Sequence, residues 1–291
     1  MKKFLRYIFL RAIVLVIVLI LLDLLFTTIY IHKKGIRNKI EFISQVTEKK
    51  YDYIFLGSSR VEFHVDTDLI DKENGTKSLN MGISGQDLSE TFLLLKLLIN
   101  KNFKAKKIFI QVDESDMSIN KEKAFIGASY FMPYINNDTV KRHLKKYDED
   151  YILDTKIPFF RYMNYGYKIG YRELVMKLKA KSRKAPFFKG LNSVIKNNAD
   201  SYVFKEEFNN DLVAEIKSFA KKNTVELSFF TSPYFNPKKS EKYKIFAKKN
   251  HIVQYIDSIK SYEYFEDYKH LNYKGARIFT EMLIRDFKLN N

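Results

Sequence analysis

Three short blocks hold residue types that could carry out chemistry on an ester. Gly57-Ser58-Ser59-Arg60 offers hydroxyls, Gly82-Ile83-Ser84-Gly85-Gln86 a glycine-containing turn, and Asp267-Tyr268-Lys269-His270-Leu271-Asn272 a carboxylate three residues before an imidazole. A serine nucleophile needs a base for its proton, an acid to orient that base, and donors for the oxyanion; all these types are present. Each block also has an ordinary reading. Gly-Ser-Ser makes a turn and helix N-cap, and Gly82 and Gly85 suit turns that need positive φ. With 17 Asp and 5 His in 291 residues, roughly 0.3 D-x-x-H matches arise by chance. Position is what sets Asp267 and His270 apart: they follow the last strand-like run and precede the closing helical pattern. None of His32, His64, His143 or His251 has an acid three residues earlier.

The elements that would position these blocks are legible as apolar runs. Strand-length runs lie at 53–56 (YIFL), 78–83 (SLNMGI), 107–112 (KIFIQV), 225–231 (VELSFFT) and 252–256 (IVQYI), with helix-period stretches at 88–98, 211–220, 242–249 and 273–287. Strands that alternate with helices, each a near-continuous apolar run, predict an α/β fold with a parallel sheet covered on both faces. Ligands of such sheets bind beyond the carboxyl ends of the strands, where GSSR, GISGQ and DYKHLN all fall. The interval at about 114–210 is too long for one connection and is rich in aromatic and basic residues. It is expected to be a mostly helical insertion beside the sheet and not a second independent domain, because no Gly/Ser/Pro-rich linker brackets it. Its Tyr130, Phe131, Tyr134, Tyr165 and Tyr167 suit stacking on sugar rings, or contact with a bilayer while Lys177, Lys179, Lys181, Arg183 and Lys184 face anionic head groups, or simply the core of the insertion.

Ahead of this domain, 1–11 is a basic tail, and 12–31 (AIVLVIVLILLDLLFTTIYI) is apolar except for Asp23. Twenty residues at about 1.5 Å each span a hydrocarbon core of about 30 Å, so one transmembrane helix is expected. A cleaved signal peptide would have a shorter apolar region followed by a small-residue site, whereas this run ends in TTIYIHKK; a retained anchor and a juxtamembrane stalk at 32–50 are expected instead. Asp23 within a bilayer either finds a partner, such as a neighbouring helix, or sits protonated or snorkelled. Four basic residues precede the span and four follow, so charge alone leaves the topology tied.

The net charge of +17 raises nucleic acid, an anionic membrane or a polyanionic glycan as partners. Residues 1–40 hold eight Lys/Arg and one acid and so supply +7 of it. No helix-turn-helix, RRM or finger pattern accompanies the charge, and no nucleic-acid partner is expected. The chain has no Cys, which excludes disulfides, thiolate metal sites and a cysteine nucleophile.

The order of strand, GSSR, strand, NMGISG and finally DYKHLNYKG resembles the SGNH/GDSL hydrolase superfamily. Its first block carries the nucleophilic serine, and its last is D-x-x-H followed by a small residue and a helix glycine. The likeness covers most of 51–291 outside the insertion. It extends to membrane-anchored members with GSS in place of GDS, such as the DltD-like proteins of teichoic acid D-alanylation and the alginate-acetylation proteins. The resemblance implies a three-layer α/β/α, flavodoxin-like fold. It implies Ser59 as nucleophile, with Ser58 in place of the usual Asp and as the alternative nucleophile. Asp267 and His270 are implied as acid and base, and the N–H groups of Ser59 and Gly82 as the oxyanion hole. Arg60 could pair with an anionic substrate group or be an exposed helix arginine.

One block departs from the family: the G-x-N-D asparagine is missing, and Gln111-Val112-Asp113-Glu114 stands in its place. Loss of one such donor costs a serine hydrolase about a hundredfold or more. The expected function is a membrane-anchored serine acyl-ester hydrolase or O-acyltransferase. It would act outside the cytoplasm on a cell-surface glycan or teichoic-type polymer, without metal or cofactor. The alternative is a catalytically silent SGNH-like partner that docks on a membrane acyltransferase through Asp23.

Overall fold

The computed structural model describes residues 1–113, 128–179, 210–238 and 241–289. In chain order its helices are α1 (Lys2–His32), α2 (Lys39–Gln45), α3 (Ser59–His64), α4 (Thr67–Asn74), α5 (Leu88–Asn100), α6 (Asp138–Tyr147), α7 (Tyr151–Lys156), α8 (Phe160–Asn164), α9 (Gly166–Ile169), α10 (Tyr171–Leu178), α11 (Asn210–Lys222), α12 (Glu241–Lys249) and α13 (Tyr273–Phe287). Its strands are β1 (Lys50–Leu56), β2 (Ser78–Asn80), β3 (Lys104–Gln111), β4 (Leu227–Phe230) and β5 (Ile252–Val253). The chain divides into two compact units: residues 1–45 with 128–185, and residues 46–127 with 186–291.

The second unit is an α/β sheet domain. Its five strands are all parallel in the order β2-β1-β3-β4-β5. This is the doubly wound order of flavodoxin-like folds, in which the strand sequence reverses direction between β1 and β3. Alternation along the strands separates the two faces. Tyr53, Phe55 and Phe109 pack with Phe279, Leu283 and Ile284 of α13 and with Val61 and Ile70 of α3 and α4. Ile54, Leu56, Ile108 and Ile110 are just as buried and point the opposite way. On that second side α5 packs on β1 and on α11, with Phe92 and Phe219 edge to face at 5.5 Å. Asp87 starts α5 with a capping box to Glu90, which satisfies two amides that would otherwise lack acceptors.

The expected run at 78–83 is a ladder strand only over Ser78–Asn80. Beyond Asn80 the chain peels off as a loop, still strapped to the end of β1 by Met81 N–H to Phe55 O (2.8 Å) and Ile83 N–H to Gly57 O (2.9 Å).

In the first unit one helix, α1, is long and apolar enough to cross a membrane. Its side chains up to Leu25 are largely exposed, while Phe26 and Tyr30 are buried. Asp23, Phe26, Thr27 and Tyr30 recur at helical spacing and form one face. The segment around Phe159–Tyr162 lies against that face. Arg161 pairs with Asp23 (2.6 Å) and also donates to Thr27 Oγ1, the Phe159 N–H donates to Asp23 Oδ2, and Tyr162 stacks on Tyr30. The carboxylate of Asp23 thus has its partner within the chain.

The three readings offered for the insertion's side chains separate in the structure. Lys177 does not face head groups: it is fully buried, held by Glu41 (3.0 Å) and the Gly35 carbonyl (3.2 Å), because a buried ammonium persists only when paired. Of the five aromatics, Phe131 and Tyr165 are core, and Tyr134 is largely enclosed. Tyr130 and Tyr167 line an open cavity with Arg37, Lys168, Arg172 and Glu173. Lys179 is exposed, and Lys181, Arg183 and Lys184 lie outside the described residues.

Candidate active site

All three blocks meet at the carboxyl edge of the sheet, beside the β1/β3 reversal. β1 ends at Leu56, Gly57 makes the turn, and Ser58 caps α3 by accepting the Arg60 amide on its side chain. Ser59 is the first residue of that helix, so its N–H has no acceptor within the helix. Gly57 has φ +156°, and a Cβ there would stand 2.6 Å from Gln111 Oε1 and from Val61 Cγ2. Only glycine fits so tight a turn.

Ser59 Oγ lies 2.8 Å from His270 Nε2, and His270 Nδ1 lies 2.8 Å from Asp267 Oδ2. The acid and base share one tight turn, in which Asp267 Oδ1 also accepts the amides of Lys269 (2.7 Å) and His270 (2.8 Å). Partial burial opposes ionisation of Asp267, but the imidazole and the two amides outweigh it and hold the carboxyl below its ordinary range. The carboxylate is therefore ionised wherever a free carboxyl would be, and it fixes the proton of His270 on Nδ1. Nε2 is left as the acceptor that faces the serine. α13 begins at the Asn272 cap two residues on, and a Cβ on Gly275 would stand 2.2 Å from the Tyr264 carbonyl.

Ser58, the alternative nucleophile, faces the opposite way. Its Oγ donates to Gln111 Oε1 (3.0 Å), which also accepts its N–H (3.1 Å). The amide of Gln111 in turn donates to Asp113. Gln111 stands where the resemblance to SGNH hydrolases leads one to expect an asparagine donor, but both ends of its side chain are committed inward. It does not replace the missing donor.

Gly82 packs against the start of α3, where a Cβ would meet the Glu62 amide nitrogen at 2.3 Å and the Ser58 carbonyl at 2.8 Å. Its N–H, expected to serve the oxyanion, donates to Asn80 Oδ1 at 3.0 Å. Asn80 is a buried clamp, since its amide also donates to the carbonyls of Val61 and Val65, both at 2.8 Å. Ser84 is tied back to Glu62 by its N–H and its hydroxyl.

Arg60 is neither exposed nor available to an anionic ligand. Its guanidinium pairs with Asp113 (2.5 Å), donates to the carbonyls of Ser232 (2.5 Å) and Pro233 (2.6 Å), and lies 3.6 Å over the Tyr234 ring. Desolvation explains the arrangement: a cation so enclosed requires a carboxylate and carbonyls around it, and they come from the residues just after β3 and the loop after β4. Arg60 ties three strand ends together beneath the serine.

A residue without a motif completes the floor. His64 is fully buried, its ring 6.1 Å from that of His270. Nε2 accepts the Leu271 amide (2.9 Å), which forces the proton onto Nδ1, and that atom faces Ser232 Oγ at 2.5 Å. Burial first, then the nearby Arg60 and His270, push its pKa well below the ordinary histidine value, so it stays neutral. His64 pins the residue that follows His270 to the helix that carries Ser59. Among the described residues no cluster of His, Cys, Asp or Glu has the arrangement of a metal site.

No protein-family model matches the sequence, and no curated protein matches it at a significant level. Among solved structures, a candidate acylhydrolase from Bacteroides fragilis NCTC 9343 aligns over 90% of this chain and 94% of its own, at 13% identity and a TM-score of 0.37.

Proposed function

We propose that the chain is a membrane-anchored serine acyl-ester hydrolase or O-acyltransferase of SGNH type, acting on a cell-surface glycan or teichoic-type polymer. The observation that carries this reading is the continuous relay from Ser59 Oγ through His270 to Asp267, with 2.8 Å at both contacts. In the reaction Ser59 Oγ attacks the acyl carbonyl while His270 Nε2 takes the hydroxyl proton, and Asp267 stabilises the imidazolium. The tetrahedral oxyanion faces the helix-terminal amide of Ser59, where partial positive charge favours it. Collapse expels the alcohol, which takes its proton from His270. The acyl-serine then passes its acyl group to water or to a sugar or polyol hydroxyl that His270 deprotonates in the same way. The placement of the sheet domain outside the cytoplasm and the polymer substrate rest on the sequence resemblance and on the apolar α1.

A second reading, a catalytically silent partner of a membrane acyltransferase, is favoured by one observation. The Gly82 amide is already bonded to Asn80, and Gln111 supplies no side-chain donor in the asparagine's place. Asp23 gives that reading less support, because its carboxylate is taken by Arg161.

Full-length protein in detergent, treated with a fluorophosphonate probe, separates the two. The enzyme reading expects labelling that disappears in Ser59→Ala and survives in Ser58→Ala. A wild type that takes no label supports the silent partner. For the substrate, mass analysis of surface-polymer acylation in a strain carrying Ser59→Ala should reveal altered acylation, and unchanged acylation would remove the polymer assignment.

A further inference from the structure

We infer that residues 151–163 are embedded in the acyl-chain region of the bilayer, docked on the C-terminal third of α1 and clasped to it by the Asp23–Arg161 pair. This rests on the reading of α1 as a membrane anchor. The first argument is length. From Ala12 to Leu22 the helix is apolar, but eleven residues cover only about 16 Å, roughly half of a 30 Å hydrocarbon core. The stretch 12–31 that fills the core includes Asp23, Phe26, Thr27 and Tyr30. Asp23 is nine residues before the end of α1 at His32, or about 13 Å along the axis. The residues that touch Asp23, Phe26 and Thr27 share that depth, and they are Phe159, Arg161 and Tyr162.

The second argument is the outer surface of the segment. Five side chains in 151–163 are exposed, and four of them are apolar: Ile152 (69%), Leu153 (38%), Ile157 (45%) and Met163 (63%). The fifth, Lys156, has a stem long enough to snorkel. Helix α6 in the same unit shows what a water-facing surface looks like in this chain. Its exposed side chains are Asp138, Lys141, Arg142, Lys145 and Lys146, every one of them charged.

The third argument is polar satisfaction. Hydrocarbon offers no partner to a backbone amide, so irregular chain at that depth must be satisfied by protein. The helical path breaks at Phe159 (φ +66°), and its N–H there is met by Asp23 Oδ2 at 2.9 Å. Arg161, 7% exposed, is met by Asp23, Thr27 Oγ1 and the Asp154 carbonyl. Ionisable groups within a membrane pair with one another, and here each supplies the other's counter-charge.

The absence of cysteine makes the test direct. Leu21→Cys, Ile157→Cys, Met163→Cys and Lys145→Cys in the full chain are each labelled with bimane and placed in phosphatidylcholine nanodiscs. Quenching by acyl-chain nitroxide lipid is then compared with quenching by aqueous iodide. The expected result is loss of emission to nitroxide lipid at 21, 157 and 163, and loss to iodide at 145. Quenching of 157 and 163 by iodide but not by the lipid, with 21 still quenched by the lipid, would overturn the embedded segment and leave the anchor standing. If 21 also escapes the lipid quencher, the anchor reading has failed and the segment falls with it.

Discussion

Two serine–histidine contacts lie back to back in the sheet domain, and they are chemically opposite. On the open side Ser59 Oγ meets His270 Nε2 at 2.8 Å; on the buried side Ser232 Oγ meets His64 Nδ1 at 2.5 Å. What separates them is the partner of the second ring nitrogen. Asp267 accepts the proton of His270 Nδ1, so Nε2 is a lone pair turned on a hydroxyl. The Leu271 amide donates to His64 Nε2, so Nδ1 must carry the proton and Ser232 can only accept it. The first histidine has a carboxylate behind it, whereas the second is held neutral by burial and by Arg60. A short serine–histidine distance is therefore no sign of a base; the atom behind the ring decides.

The comparison can be broken from either side. The largest effect is expected at Asp267→Asn, which swaps the acceptor behind His270 for a group that can donate and removes its charge. Fluorophosphonate labelling should slow by about 10⁴-fold, as in other triads whose acid is replaced by its amide. Ser232→Ala should leave the labelling rate essentially unchanged; a loss comparable to that of Asp267→Asn would show that the buried contact takes part in chemistry.

Stability should report the buried contact instead. His64→Leu strips the Leu271 amide of its acceptor and Ser232 of its donor, at about 1–3 kcal/mol for each group left unsatisfied. A thermal melt of the full chain in detergent should show the lower midpoint.

The smallest effect is in the pH dependence. Above about pH 6.5 His64 is neutral whether folded or unfolded; below it only the unfolded chain takes up the proton. Its contribution is thus complete above the unfolded value and is lost as pH falls towards the depressed folded one, at up to about 1.4 kcal/mol per pH unit. Melts at about pH 7 and about pH 5.5 should differ more for the wild type than for His64→Leu. Equal differences would mean that His64 titrates normally.

The rule that α/β sites lie at strand ends marked the blocks after the strand-like runs that hold Ser59, Asp267 and His270, and the acid and base stand out by their spacing of three residues. The choice of Ser59 and its link to His270, 211 residues away, came from the family resemblance. The α/β class followed from the same runs. Arg60 was misjudged because its partners Asp113, Ser232 and Pro233 lie 53 to 173 residues away, and nothing local marks a helix arginine as buried. His64 carries no motif, since its partner is a backbone amide. Asp23 announced a need for a partner, but Arg161 is 138 residues distant and could be identified only in three dimensions. The commitment of the Gly82 amide to Asn80 was hidden for a different reason: the two sit in one block, and the block reads the same whether that N–H is occupied or vacant.

That occupied amide changes the accounting of catalysis. A donor that waits empty in a site contributes its full interaction with the oxyanion, whereas one already bonded contributes only the difference between a charged oxygen and the amide oxygen it gives up. An oxyanion at Ser59 would have to draw the Gly82 N–H away from Asn80, which keeps its two bonds to the last turn of α3 and so stays ready to take the N–H back. In the proposed reaction Asn80 would thus act as a resident competitor of the transition state, and the Gly82 amide would lend the oxyanion only what is left after that competition.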